Sequence, residues 1–334
     1  MKLSVMIPIR NEADFIYQTL SQCADQSLAR QDYELMVVDG ESDDATVAEV
    51  QRFARDYPDV HLTLLNNPKR RSSAARNLAV TQSQGDYLLL IDGHVYIPSQ
   101  TLFQDMLRCA ETTQAKVLGR PQPQTPPGVT EFQERVAICR GSSLAHSGES
   151  YIYSDYEGWV SPLSVAIMYH RSVFDEVGLF DDNFDASEDV ELNYRLEQAG
   201  YECYISPAFT VFYYPRSSLP SLFKQLARYG EGRARFLNKH PERFSIETII
   251  PAVFFGLVLI GLLFSLVIPF IRGLFLLGLF AYAIIVMSEL KFKQNVSDWQ
   301  TLLWGVPIIF TIHCGLGYGY LKERYQLWRQ QTSA

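Results

Sequence analysis

The sequence predicts an α/β protein with a doubly wound, mainly parallel sheet, followed by hydrophobic transmembrane helices at the C-terminal end. Two observations predict this. Short apolar runs alternate with amphipathic helical patterns over the first hundred residues, and the composition becomes strongly apolar from Thr248 to Leu321. Buried strands that alternate with helices are typical of parallel sheets. A chain of 334 residues can hold one large α/β domain and a smaller appendage.

The first elements follow one another as strand, helix, strand. The predicted strands are 3–8, 35–38, 60–65 and 87–91, and the predicted helices between them are 16–23, 47–54 and 72–83. Asp39 directly follows the second strand, and Asp92 directly follows the fourth. Ligands of such sheets bind beyond the carboxyl ends of the strands. Asp39 and Asp92 are therefore candidate ligand-binding residues.

The remainder of the α/β region is less regular. The stretch from Gly119 to Trp159 opens with four prolines and ends in an aromatic, acidic run, and we interpret it as loops that cover a site. A strand at 165–169 and a helix at 188–199 follow, the helix being closed by Gly200. Residues 219–238 form a basic amphipathic segment.

Charge and cysteine content exclude some classes of protein. The net charge of −8 argues against nucleic acid as a partner, because nucleic-acid binders normally carry a clustered basic face. The five cysteines form no C-x-x-C pair, so a disulfide framework or a zinc site is not expected. The first apolar run is too short for a secretory signal and is interpreted as a strand.

Three apolar segments can cross a bilayer. Charge-free runs of 24, 16 and 23 residues separate Glu247 from Arg272, Arg272 from Glu289, and Asp298 from Lys322. About 20 apolar residues span a hydrocarbon core, so the second run is short unless its flanking charges reach the interface. These runs predict two to three membrane helices and a lipid bilayer as partner.

The positive-inside rule leaves the topology open. Basic residues before the first span place the α/β domain in the cytoplasm. A third full span would put Lys322, Arg324 and Arg329 outside. Either the rule is violated, or one segment is an interfacial or re-entrant helix. The predicted organisation is 1–217 catalytic, 218–246 amphipathic and interfacial, 247–321 membrane region and 322–334 tail.

Five motifs in order carry the functional prediction. They are Ser4–Glu12, Val37–Thr46, Ser73–Asn77, Gly85–Asp92 and Ser187–Arg195. Together they resemble the family 2 inverting glycosyltransferases, which have the GT-A fold and transfer sugars from nucleotide-diphosphate donors.

The resemblance implies roles for individual residues. Donor binding is assigned to Pro8, Arg10, Glu12, Asp39, Arg71, Asp92 and Gly93. A divalent metal is assigned to Asp92 and His94. By the same resemblance Asp189 is the catalytic base, and Glu188 holds the acceptor or the loop. Both open a helix, where the positive end of the dipole favours ionised carboxylates. The alternative for this pair is helix capping alone.

The chain departs from the family pattern at two positions. Asp92-Gly93-His94 stands where the family has D-x-D, and Glu41 stands where a glycine is usual. Because imidazole suits manganese better than magnesium, His94 predicts that Mn²⁺ is preferred over Mg²⁺. The alternative is that His94 only hydrogen-bonds the donor phosphate.

The acceptor is assigned to a second group of residues. Gln225, Arg228 and Tyr229 resemble the Q-x-x-R-W motif of polysaccharide synthases, with tyrosine replacing tryptophan. Their amide, guanidinium and aromatic groups suit a sugar or diphosphate. Arg216 and Trp159 are assigned to the acceptor as well. An ordinary basic amphipathic helix remains the alternative for 225–229.

These features together resemble the succinoglycan-type transferases of exopolysaccharide assembly. The resemblance implies transfer of a hexose from a UDP-sugar to a polyprenyl-diphosphate-linked glycan, with inversion, on the cytoplasmic side of a cell inner membrane. A polyprenyl-phosphate sugar synthase is the second enzyme hypothesis. A non-catalytic membrane scaffold that retains the GT-A fold is the hypothesis from another class.

Overall fold

The computed structural model describes residues 1–145 and 151–333. Residues 146–150, part of the stretch predicted to cover the site, and the last residue of the predicted tail lie outside this description. The chain divides into two compact units, Met1–Pro127 with Glu149–Tyr214, and Gly128–Gly148 with Pro215–Ala334. The predicted domain boundaries stay predictions.

Strands and helices are numbered here in chain order through both units. The strands, all in the first unit, are β1 (Leu3–Ile9), β2 (Tyr33–Asp39), β3 (Leu62–Asn66), β4 (Tyr87–Leu90), β5 (Val95–Tyr96), β6 (Val117–Gly119), β7 (Gly158–Val160), β8 (Ala166–His170), β9 (Cys203–Ile205) and β10 (Phe212–Tyr213). The helices of the first unit are α1 (Ile16–Ala24), α2 (Thr46–Asp56), α3 (Ser72–Gln82), α4 (Leu102–Thr113), α6 (Pro162–Val165), α7 (Ser172–Val177) and α8 (Glu188–Gln198). Those of the second unit are α5 (Glu131–Arg140), α9 (Leu219–Lys239), α10 (Ile246–Val267), α11 (Pro269–Phe292) and α12 (Trp299–Ser333).

The main sheet has the strand order β3-β2-β1-β4-β8-β6-β9-β7. The first four strands are parallel, as are β6 and β9, whereas β8 is antiparallel to both its neighbours and β7 to β9. This mixed, mainly parallel sheet confirms the predicted fold class. A separate antiparallel ladder joins β5 to β10.

The parallel strands β1, β2 and β4 are largely buried and end at the same edge of the sheet. All seven residues of β2 are buried, and β1 is buried except at Pro8. Strands covered on both faces read as continuous apolar runs, which is the pattern of these two segments. In the register, Ile9 pairs with Asp39 and Met6 with Leu90. The segments after β1, β2 and β4 therefore leave the sheet at one edge.

The second unit is helical throughout its described elements. Helix α5 begins with a capping box in which Thr130 and Gln133 satisfy each other's backbone N–H groups. Helix α9 confirms a helix in the predicted basic segment, and the Ser218 side chain caps its start. Helices α10, α11 and α12 are long and apolar enough to cross a membrane, judged by length and composition. Helix α12 continues without a break through the predicted boundary at residue 321.

Candidate active site

The turn Asp92-Gly93-His94 connects β4 to β5 and lies against the segment that follows β1. A Cβ atom on Gly93 would lie 3.0 Å from Cγ2 of Ile9 and 3.1 Å from Cγ of Glu12. Glycine therefore permits this close approach, which any side chain would hinder. The turn is the central part of the candidate donor site.

A carboxylate orients the imidazole of His94. Nδ1 of His94 lies 2.9 Å from Oε1 of Glu12. An ionised carboxylate can only accept, so Nδ1 carries the hydrogen, and the neutral form of the ring has its lone pair on Nε2. Metal-binding histidines are commonly held in this way by a carboxylate on the other ring nitrogen. The arrangement suits His94 as a ligand.

A partly buried tyrosine holds the carboxylate of Asp92. The hydroxyl of Tyr213 donates to Oδ2 of Asp92, and Tyr213 is fixed by its pairing with Val95 in the β5–β10 ladder. Burial, followed by the charge of Asp92, raises the pKa of Tyr213 well above its usual value, while the Arg120 guanidinium lowers it. The phenol therefore stays protonated and remains a donor. Tyr213 fixes the orientation of Asp92.

Few of the described side chains are placed to serve as ligands of a metal ion. Across residues 1–145 and 151–333, no group of three or more His, Cys, Asp or Glu side chains is placed to hold a metal ion. Asp92 and His94 nevertheless offer one carboxylate and one oriented imidazole nitrogen. These two side chains would suit a divalent cation that takes further oxygen ligands from the donor.

The predicted catalytic carboxylates, Glu188 and Asp189, both act on one arginine. Glu188 is 4% exposed, and its Oε1 lies 3.1 Å from Nη2 of Arg76, which projects from α3. Burial lowers the pKa of the Arg76 guanidinium, but Glu188, Asp189 and Asp92 together outweigh it and raise that pKa. Asp92 and Asp189 thus lie within electrostatic range of the same cation. The predicted metal ligand and the predicted base therefore both raise the pKa of the Arg76 guanidinium.

The environment of Asp189 makes it a stronger base than an ordinary aspartate. Loss of hydration is the largest effect that raises its pKa, followed by the negative charges of Glu188 and, less strongly, Asp92. The charge of Arg76 and the N–H of Val190, 2.9 Å from Oδ1, act in the opposite direction. A carboxylate with a raised pKa is better matched to proton abstraction near neutral pH.

The predicted base and ribose residues lie at the edge where β1 and β2 end. Asp39 is 7% exposed and accepts from the Ser42 backbone N–H at 3.1 Å and from its hydroxyl at 2.5 Å. Pro8 is in β1, and Arg10 is exposed just after it. Arg71 donates from Nη1 to the Asp182 carbonyl at 2.7 Å. The donor role of these residues stays a prediction.

The unusual Glu41 has a local structural role. Its backbone is left-handed, with φ of 56°, a conformation that glycine adopts without strain. Its Oε2 accepts from Nε of Arg70 at 2.5 Å, and Arg70 is also left-handed at φ of 58°. The ion pair links the loop after β2 to the loop after β3. This pairing accounts for an acidic side chain at a position where the family has glycine.

The predicted acceptor residues are divided between the two units. Trp159 is 43% exposed on edge strand β7, four positions from β4 in the sheet order, and packs edge-on against Tyr204. Arg216, Gln225, Arg228 and Tyr229 all belong to the second unit. The spacing of the last three places them on one face of α9. Their acceptor role stays a prediction.

The supporting roles of Arg120, Tyr213 and Arg76 were not identified from the sequence. Arg120 is fully buried and donates to the Leu90 carbonyl at 2.9 Å, just before the Asp92 turn. The position of Arg120, a charged residue directly after the apolar strand β6, could have indicated this role in the sequence. Arg76 lies inside the Ser73–Asn77 motif, but its partner is more than a hundred residues away in sequence.

Comparisons with known proteins identify the family. The model of glycosyl transferase family 2 matches residues 4–178, which is 175 of 334 residues, and that of glycosyl transferase family group 2 matches residues 125–320. The chain belongs to glycosyl transferase family 2. It is 32% identical over 252 residues to the succinoglycan biosynthesis protein ExoA of Rhizobium meliloti (strain 1021), covering 74% of this chain and 73% of that protein.

A second relative and a solved structure extend the similarity over nearly the whole chain. The relative is a dolichyl N-acetyl-alpha-D-glucosaminyl phosphate 3-beta-D-2,3-diacetamido-2,3-dideoxy-beta-D-glucuronosyltransferase of Methanococcus voltae, 26% identical over 327 residues and 96% of both chains. The structure is a mannosyltransferase from Pyrobaculum calidifontis in complex with GDP-Man and Mn²⁺. It has a TM-score of 0.58 at 18% identity and covers 97% of this chain and 87% of that one. The family, the GT-A fold and the glycosyltransferase activity predicted from the sequence are confirmed.

Proposed function

We propose that this membrane-bound glycosyltransferase transfers a hexose, with inversion, from a UDP-sugar to a polyprenyl-diphosphate-linked glycan of an exopolysaccharide or cell-surface glycan. The ion pair of Arg76 with Glu188, next to Asp189 and within electrostatic range of Asp92, carries the proposal. Asp189 removes the proton from the attacking acceptor hydroxyl, and the donor diphosphate leaves at Asp92. A single displacement from an α-linked donor gives a β-linked product.

The similar proteins support a lipid-linked glycan as acceptor. The name of the Methanococcus voltae relative specifies an acceptor sugar that is already attached to dolichyl phosphate, and a β-linked product. Its similarity spans 96% of this chain, including the apolar helices. This observation favours a glycan acceptor over a bare polyprenyl phosphate.

A donor and acceptor panel tests the proposal. The full chain, purified in nanodiscs, is incubated with UDP-glucose, UDP-galactose, UDP-N-acetylglucosamine or GDP-mannose, each with short-chain polyprenyl-diphosphate-linked sugar or polyprenyl phosphate. We expect acceptor-dependent release of UDP with the diphosphate-linked sugar. Release of GDP alone would contradict the UDP donor, and turnover with polyprenyl phosphate alone would establish the synthase instead.

The assignment of Asp189 is tested by Asp189→Asn. The amide keeps the shape of the side chain but cannot accept the proton, so we expect transfer to fall about a thousandfold. Nucleotide binding, measured by calorimetry, should stay within a factor of about three. Asp175→Asn, at an exposed position on α7, is the matched control. Loss of nucleotide binding in Asp189→Asn would indicate a structural role for this residue.

We also propose that Asp92 and Nε2 of His94 hold the divalent cation, with Mn²⁺ preferred over Mg²⁺. When bound, the cation neutralises negative charge on the donor diphosphate. His94→Ala should weaken Mn²⁺ binding, followed by calorimetry with UDP present, at least about tenfold and should reduce the preference for Mn²⁺. Unchanged Mn²⁺ binding would leave His94 with a hydrogen-bonding role alone. The catalytic domain is proposed to lie on the cytoplasmic side of the inner membrane.

A further inference from the structure

We infer that α10 and α11 enter the bilayer as a helical hairpin, whereas α12 stays at the membrane surface, on the same side as α9. Length and composition make all three helices candidates for spanning. The exposure of their side chains distinguishes α10 and α11 from α12.

The distal part of the hairpin is covered by no other part of its unit. Of residues 256–281, all of which the structure describes, Ser265 is the one that is buried. Large apolar side chains point outward on both helices, with Leu263 64% and Leu277 62% exposed. In water this surface would be strongly unfavourable, at about 25 cal/mol for each Å² of apolar area. A lipid environment removes that cost.

The turn of the hairpin is built to lie outside the protein core. Helix α10 ends at Val267 and α11 begins at Pro269, so Ile268 alone connects them. The guanidinium of Arg272 donates from Nε to the Ser265 carbonyl at 2.9 Å, which satisfies a backbone acceptor at the end of α10. Gly261 lies close to Phe275, which packs the two helices together. Arg272 at the turn suits the headgroup region on the far side of the bilayer.

The apolar character of α12 has a different cause. Between Gly305 and Tyr320, only Tyr318 is exposed in this fully described stretch. A helix that is apolar on all sides and also covered on all sides is a core helix. Half of the window that makes α12 a candidate span, 50%, is buried by protein, compared with 17% in α10 and 6% in α11.

Helix α12 crosses the base of the hairpin and does not run beside it to the turn. Nδ1 of His313 lies 3.0 Å from the Tyr282 hydroxyl, and the His313 ring lies 5.4 Å from that of Phe254. A Cβ on Gly317 would lie 2.1 Å from the Pro251 carbonyl oxygen. From Phe254 to the turn, at about 1.5 Å per residue, the hairpin extends roughly 20 Å further.

Charged helices accompany α12 at both ends. The Glu323 carboxylate accepts from Nε of Arg235 at 2.7 Å, and Nζ of Lys322 donates to Glu231 at 2.6 Å. At the other end, Nε of Arg135 on α5 lies 3.4 Å from the Thr301 hydroxyl. If α12 spanned the bilayer, some of these charges would be drawn toward hydrocarbon, where each is costly.

One stripe of α12 suits the membrane interface. Its members are exposed, spaced three and four residues apart, and mostly aromatic: Tyr318, Leu321, Tyr325 and Trp328. Aromatic side chains beside basic ones are typical of helices that lie at the headgroup level. With α12 at the surface, Lys322, Arg324 and Arg329 stay on the same side as α9. This arrangement satisfies the positive-inside rule that a third span would violate.

Cysteine labelling of the full chain tests this topology independently of glycosyl transfer. Cys109, the one native cysteine that is not buried, is replaced by serine. Ser245→Cys then reports on the start of α10, and Gln331→Cys on the end of α12. With a membrane-impermeant maleimide, we expect both to be labelled in inverted vesicles and neither in right-side-out vesicles. Labelling of the two from opposite sides would overturn the inference.

A third variant, Val267→Cys, tests the hairpin itself. Val267 is 79% exposed next to the turn, so it would react freely if the hairpin lay in water. We expect labelling in inverted vesicles to be at least about tenfold slower than for Ser245→Cys and to recover after detergent is added. Equal rates for Val267→Cys and Ser245→Cys in inverted vesicles would show that the hairpin is not inserted.

Discussion

In β2 of the first unit all seven residues are buried, whereas along α10 and α11 of the second unit leucine, isoleucine and phenylalanine side chains are mostly exposed. Both regions are strongly apolar in sequence. The strand is apolar because other parts of the first unit cover both its faces. The hairpin is apolar because, in the topology inferred above, lipid surrounds it in place of the protein interior.

Charged residues also lie in different surroundings in the first unit and in the hairpin. In the first unit, the buried side chains of Arg76 and Glu188 form an ion pair with each other. In the hairpin, Arg272 is the one charged residue between Glu247 and Glu289, and it lies at the turn. Apolar patterning therefore predicts both the candidate active site and the candidate membrane helices, but only the three-dimensional surroundings distinguish a core helix from a membrane helix.

The largest expected effect comes from adding charge to the hairpin. In the double variant Leu263→Glu with Leu277→Glu, two carboxylates would enter the hydrocarbon, and a charge there costs about 3 kcal/mol or more on insertion scales. We expect most of the protein to be lost from membranes washed with sodium carbonate. Leu303→Glu, at an exposed position near the start of α12, is the control and should be retained. Equal release of both variants would remove the distinction between hairpin and α12.

A smaller effect is expected inside the first unit, where a polar group supports the site. Tyr213→Phe removes the hydroxyl that holds Oδ2 of Asp92, so the carboxylate loses its fixed orientation. We expect the metal concentration for half-maximal transfer to rise about tenfold. Tyr214→Phe, one residue further along, is the control and should behave as the parent protein. No change in Tyr213→Phe would show that Asp92 is oriented by other contacts.

Glycine substitutions compare the packed and the exposed helices directly. A Cβ on Gly319 of α12 would lie 1.9 Å from the Ala227 carbonyl oxygen, whereas nothing lies within 4 Å of one on Gly278 of α11. Gly319→Ala should lower the free energy of unfolding by about 1–3 kcal/mol, because the helices must separate. Gly278→Ala should leave it nearly unchanged. The check is the melting temperature in detergent, and equal values for the two variants would contradict the packing of α9 on α12.

Local pattern was sufficient for much of the fold. The apolar runs located β1, β2 and β4, and the polar residue after each run located the edge with Asp39 and Asp92. Glu188 and Asp189 were predicted as catalytic residues from their motif, which lies at the start of α8. The pairing of Arg76 with Glu188, and of Tyr213 with Asp92, joins residues more than a hundred positions apart, so neither pair shows a periodicity. The different surroundings of α11 and α12 depend on what packs around each helix.

Arg76, Glu188 and Asp189 form one electrostatic unit, and the pH profile of kcat/KM is the measurement that reports on their coupling. Asp189 must be ionised to act as a base, so activity is lost as the pH falls through its raised pKa. Arg76 lowers that pKa and Glu188 raises it. We predict that Arg76→Gln moves the acidic limb of the profile to higher pH, and that Glu188→Gln moves it to lower pH. If the acidic limb moved in the same direction in both variants, or stayed unchanged in both, Arg76 and Glu188 would not control the pKa of the base.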